Sequence, residues 1–201
     1  MAQPDPDSPA ERPADRPADR TALVAAIHAT PTVLVLAVTG GGVAAVTDLL
    51  GVPGASRTVL EVLVPYAETS LRELTGPGPE DAGAGAVSQG TAEAMATACL
   101  ARARHLAPGV PDDEVIGVAC TAALVTDRPR RGAHRGHLAV ARRPDRSEGV
   151  ALTHQLVELE KGLLDRVGED RAVADAVLAM IATACGAVDT ASGADDAASG
   201  L

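Results

Sequence analysis

The run "TVLVLAVTGGG", Thr32 to Gly42, constrains the fold more than any other stretch. From Thr32 to Val38 it is an unbroken aliphatic segment with no polar alternation. As a strand it must be buried on both faces, which places it inside a sheet covered by helices. It breaks on Thr39 and three glycines, and Gly41 to Leu50 then reads as a helix that stops at "GVPG". A glycine cluster between a buried strand and a helix exposes backbone N–H groups at the positive end of a helix dipole. Gly40, Gly41 and Gly42 are therefore expected to receive an anion.

Strand-like and helix-like segments alternate through the rest of the chain. Thr21 to Thr30 reads as a short helix, Thr58 to Val64 as a strand, and Ala67 to Leu74 as a helix ended by Gly76. "GPGPEDAGAGAVS" is too rich in Gly and Pro to be an element. Ser88 is the expected N-cap of a helix whose Ala92, Met95, Ala96, Cys99, Leu100, Ala103 and Leu106 share one face. Val115 to Cys120, Gly136 to Arg142 and Gly149 to Leu156 read as strands. A closing helix, about Asp170 to Cys185, turns Val173, Val177, Met180, Ile181 and Ala184 inward. The pattern predicts an α/β domain, a three-layer α/β/α sandwich with a mixed, mostly parallel sheet whose C-terminal part is antiparallel. Residues 1–20, with a repeated Arg-Pro-Ala-Asp unit, and residues 188–201, small and acidic, read as disordered tails around a domain spanning 21–187.

Composition narrows the partners. The chain has no Phe, no Trp and one Tyr, Tyr66, and carries 17 basic against 27 acidic residues, a net charge of −10. Without stacking surface and with that charge, DNA, RNA and anionic membranes are set aside. No stretch approaches the ~18 apolar residues of a membrane span, and no secretory h-region opens the chain, so a cytoplasmic location is expected. Cys99, Cys120 and Cys185 are an odd, widely spaced set, and His134 and His137, three apart on a strand, face opposite ways. Neither a disulfide framework nor a metal site is expected, and His28, His105 and His154 read as isolated.

Two motif readings meet at the glycine turn. Gly40-x-Gly42-x-x-Ala45, with Glu61 about 20 residues on, fits a short dinucleotide fingerprint and with it an NAD(P)-dependent oxidoreductase. Glu61 falls mid-strand, however, and no G-x-x-x-x-G-K-[ST] phosphate loop is present. The arginine-rich "RPRRGAHR", with Arg128, Arg130, Arg131 and Arg135, is placed to clamp a phosphate opposite the turn. Cys120 and Thr121 close a strand at the end where α/β sheets place ligands.

The ordered stretches "AVTGGGVAAVTDLLGVPGAS", "VPYAETSLRELTG", "GAVSQGTAEAMA", "VIGVACT" and "RGHLAVA" resemble the CinA C-terminal domain family across nearly the whole domain. Characterised members are nicotinamide-nucleotide amidohydrolases that work without a metal or other cofactor. Thr39, Gly40 and Gly41 match the family's Ser-Cys-Thr-Gly-Gly turn, Gly54, Ala55 and Ser56 its second loop, Tyr66 its tyrosine, and Gly85 to Ser88 its next motif. Ala37 stands where the family has its nucleophilic serine and Leu71 where it has the assisting lysine. The chain thus resembles a divergent branch. Together the resemblance, the strand end and the arginine-rich loop imply a site of Thr39, Tyr66, Cys120 and Thr121 for catalysis and Gly40 to Gly42, Ser56, Ser88, Arg130, Arg131 and Arg135 for a nucleotide or other small anionic ligand. The resemblance also implies a homodimer. Either an amidohydrolase-like enzyme or a binding module that has lost hydrolysis fits these residues, and loss of both Ser and Lys removes the acting parts of the usual mechanism.

Overall fold

A computed structural model of the chain describes residues 17–76, 85–128, 131–144 and 149–188. Five strands form one sheet in the order β2-β1-β3-β4-β5: β1 is Val33–Thr39, β2 Val59–Leu63, β3 Val115–Ala123, β4 His134–Arg142 and β5 Ala151–Leu159. β1 runs parallel to β2 and β3, while β4 is antiparallel to both β3 and β5. Only β4 therefore opposes the common direction, and the mixed, mostly parallel α/β reading holds.

Side chains alternate across the sheet, and the two faces differ in size. One carries Leu34, Leu36, Val38, Ile116, Val118, Leu138 and Val140, which pack under helices α1 (Pro17–His28), α2 (Val43–Gly51) and α6 (Arg166–Ala184). The other carries Val35, Ala37, Ala119, Ala139 and Ala141 and lies under α4 (Glu68–Thr75) and α5 (Gln89–Leu106), with α3 (Ala55–Thr58) a single turn before β2. In a domain with no Phe or Trp, small residues on this second face let α5 come down onto the strands. A Cβ on Gly117 of β3 would lie 2.2 Å from both the Ala96 carbonyl and the Leu100 amide of α5.

Boundaries shift where distant partners act. The first helix opens at Pro17, so residues 17–20, read as part of a tail, are helical. Arg20 is held there by Asp175 of α6, at 2.7 and 3.1 Å, and Arg171 pairs with Asp48 of α2. α6 begins at Arg166, not near Asp170, because the Asp165 side chain caps it by accepting from Gly168 N at 2.7 Å. Ser88 caps α5 as expected, accepting from Thr91 N. Leu106, placed on the buried face by periodicity, is 39% exposed at the helix end. His28 is a satisfied core residue between Thr58 Oγ1 (3.0 Å) and the Leu49 carbonyl (2.9 Å). The remainder of both expected tails and Arg130 lie outside the described residues.

A methyl group on Gly117 meets helix backbone rather than flexible side chain, so α5 must lift from the sheet. Gly117→Ala is expected to cost about 3 kcal/mol or more in chemical denaturation, since overpacking that moves backbone is at the severe end of such changes.

Candidate functional site

The expected site residues converge only in part. Register sets Thr39 of β1 beside Thr121 of β3, and Thr121 beside His137 of β4, all on the α5 side at the carboxyl end of the parallel strands. Thr121 donates to the Ala86 carbonyl at 2.7 Å, which pins the segment entering α5. Arg135, also on this side, reaches the Val87 carbonyl at 3.5 Å. Tyr66, three residues past the end of β2, is 72% exposed at the same end. Ser88 belongs here too, but its hydroxyl is occupied as the α5 cap. Arg131 is exposed in the β3–β4 connection.

The glycine turn has a different use from the expected one. Gly40 and Gly42 have φ of +74° and +82°, which L side chains adopt only with strain. Added Cβ atoms would meet the Ala122 carbonyl oxygen at 1.9 Å from Gly40, Leu124 Cδ1 at 2.6 Å from Gly41 and Cys120 Sγ at 3.2 Å from Gly42. The protein's own β3 and α6, not a ligand, press against this turn. Its polar groups are engaged as well. Gly42 offers α2 no side-chain cap, and the Asp170 carboxylate, 127 residues on, accepts from Val43 N at 3.1 Å while its other oxygen accepts from Ala44 N at 3.0 Å. Ala45 N bonds to the Gly42 carbonyl. The Gly40 carbonyl takes the Arg166 guanidinium at 2.9 Å, and that same side chain reaches the Val125 carbonyl. The amino end of α2 that follows Gly40 to Gly42, where an anion is expected, thus holds an internal carboxylate.

Next to it, Glu169 is fully buried. Its carboxylate accepts from Val125 N and pairs with His134 Nδ1, each at 2.6 Å, tying α6 to the end of β3 and the start of β4. Periodicity alone, which opens this helix near Asp170, does not single out Arg166, Glu169 or Asp170, because the true start lies a turn earlier. The readable signal was Asp165 as N-cap with acids in the turn that follows.

Cys120 is not an available nucleophile. Strand alternation turns it away from Thr121 into the large-residue core, fully buried, with Sγ 3.6 Å from the Gly41 carbonyl. Burial first, and the Asp170 charge second, push its thiol up to about 12. Ser56 lies in the turn before β2, level with the start of β1 rather than its end, so in one chain it is far from Thr39. Glu61, the ribose candidate of the oxidoreductase reading, is bonded by Arg102 at 2.8 and 3.1 Å, which holds its carboxyl below the usual range. With the glycine turn closed as well, the dinucleotide reading loses both its elements. Ala37 and Leu71 are buried in one apolar cluster. A groove of about 610 Å3 lined by Val140, Thr153, Gln155 and Met180 lies on the opposite face from Thr39 and Thr121.

His154 is not isolated. Across the β4–β5 ladder its Nε2 lies 3.1 Å from His137 Nδ1, with ring centroids 5.3 Å apart. Burial foremost, then His154 and Arg135, lower the His137 pKa, favouring its neutral form.

Removing Asp170 unpairs two helix N-terminal amides. Asp170→Ala is expected to cost about 1–2 kcal/mol, or roughly 2–8 °C in Tm for a domain of this size, and sulfate at a given concentration should raise Tm by more in the variant than in the parent chain. With its thiolate suppressed, Cys120 should stay unmodified during native alkylation at pH 8 and become modified in denaturant, as read by peptide mass.

No protein-family model and no curated protein matches the sequence. Solved structures do match by fold. A competence/damage-inducible protein from Agrobacterium tumefaciens is 23% identical, covering 83% of this chain and 95% of its own, with a TM-score of 0.60. A competence or damage-inducible protein from Enterobacter asburiae is 16% identical over 82% and 98%, TM-score 0.64. A competence-damaged protein (CinA) superfamily member from Escherichia coli is 15% identical over 81% and 86%, TM-score 0.61. The five-stranded sheet with its two unlike helical layers is therefore the fold shared with these competence/damage-inducible and CinA-superfamily structures.

Proposed function

We propose that this CinA-fold domain binds a small anionic ligand, with a nicotinamide nucleotide the first candidate, at the carboxyl end of its sheet on the α5 side, and does not hydrolyse it. One observation carries the reading. Ala37 is fully buried and Leu71 is 3% exposed, and both pack with Met95 and Ala119 in a single apolar cluster. Amide hydrolysis needs an activated nucleophile and donors for the oxyanion. A methyl and an isobutyl group supply neither, and the Cys120 thiol lies on the other face.

The polar groups that remain at this end suit binding. Arg135 is an exposed guanidinium, whose planar fork suits phosphate. The Tyr66 ring offers an open aromatic face for a pyridine, and Thr39 is half-buried beside Thr121 of β3. The retained Thr39, Tyr66 and Ser88 are what the alternative, persisting amide hydrolysis, would also use, so activity and binding must be measured separately.

Nicotinamide mononucleotide is expected to release no ammonia with the parent chain yet to give saturable heat in calorimetry, at least tenfold weaker in Tyr66→Ala and in Arg135→Ala. Ammonia release by the parent chain would overturn the non-catalytic reading, and absence of binding would overturn the ligand. An Ala37→Ser/Leu71→Lys double variant that gains ammonia release would place the amide beside position 37.

A further inference from the structure

We propose that His137 and His154 form a two-imidazole site for a divalent transition-metal cation on the α5-side face of the sheet. The two residues lie on adjacent strands, His154 opposite Ala139 in the ladder and His137 two positions along β4, so both rings stand on the same face. Their facing nitrogens, His137 Nδ1 and His154 Nε2, are 3.1 Å apart. Two imidazoles on one ion at ~2.0–2.1 Å each, with an angle between right and tetrahedral, hold their nitrogens ~2.9–3.4 Å apart. The pair already has that bite. The ladder fixes both backbones, so a small ring rotation suffices to turn the two lone pairs from each other onto a common ion.

Protonation and access agree. Two facing nitrogens 3.1 Å apart cannot both carry a proton, and ligation needs the neutral imidazole. Both rings are half-buried, and α5 leaves the β5 side of this face uncovered: Leu152 and Leu156, which flank His154 on the same face, are each 44% exposed. Of the charged neighbours on this face, Arg135 opposes a cation, and Glu158 stands directly opposite Arg135 in the ladder. Among the described residues no group of three or more His, Cys, Asp or Glu gathers. The remaining coordination positions therefore fall to water or to an incoming ligand. Imidazole donors suit copper, nickel and zinc, and Cu2+ heads the affinity order.

The test is calorimetric titration of the full chain with Cu2+ and, separately, Ni2+ in a non-coordinating buffer, with circular dichroism to verify that each variant is folded. One equivalent should bind, with affinity at least tenfold lower in both His137→Ala and His154→Ala and unchanged in His105→Ala. Because His137 is the more enclosed position, His154→Gln on the edge strand serves as a second variant with the least effect on folding. Nitrogen couplings from two imidazoles in the Cu2+ electron paramagnetic resonance spectrum are the independent signature. Absence of equimolar binding, or binding retained in either folded His137 or His154 variant, would overturn the site.

Discussion

The Asp170 carboxylate at the amino end of α2 is the contact on which the rest of the domain's top edge depends. A helix that follows a glycine turn has amides that need an acceptor, and the turn has no side chain to provide one. Here the acceptor arrives from α6, on the far side of the sequence, and its charge answers the helix dipole as a bound anion would. Once α6 is placed this way, Arg166 falls on the Gly40 carbonyl, Glu169 on Val125 N and His134, and Val173 against Gly42 and Gly136. The same carboxylate helps hold the Cys120 thiol protonated.

The two faces of the sheet divide the labour by side-chain size. Leucine, isoleucine and valine on one face support three helices, bound to each other by Arg20, Asp48, Arg171 and Asp175. Alanine and glycine on the other let α5 approach until its backbone touches β3. Close approach substitutes for the bulk that aromatic residues provide in other cores. It also brings the segment entering α5 down onto β3 and β4, where Thr121 and Arg135 reach the Ala86 and Val87 carbonyls.

At the point where the resemblance expects a serine and a lysine, Ala37 and Leu71 belong to the packing of that second face. Apolar side chains at both positions are mutually consistent, since a lone buried lysine or an unpaired buried hydroxyl would carry a desolvation penalty. Ala37 and Leu71 thus complete the apolar packing of this face. Tyr66, exposed at the same end, contributes little to the core and keeps a flat surface in solvent.

Much of the fold was legible from periodicity alone. The buried run at Thr32 to Val38, the Ser88 cap and the apolar stripe from Ala92 to Ala103 are local patterns, because alternation and capping act within a few residues. The order of strands and helices followed from them. Which groups share a site did not, since it depends on pairings between distant segments: Asp170 with α2, Arg20 with Asp175, Glu169 with His134, and His137 with His154, none closer than 17 residues in sequence. The sequence by itself determined an aliphatic α/β sandwich with a glycine turn after its first strand, because burial and backbone sterics are written in residue type. Whether that turn would be open or closed was decided only by tertiary structure, because a carboxylate from the last helix competes for the same amides and is held beside them at no cost in binding entropy.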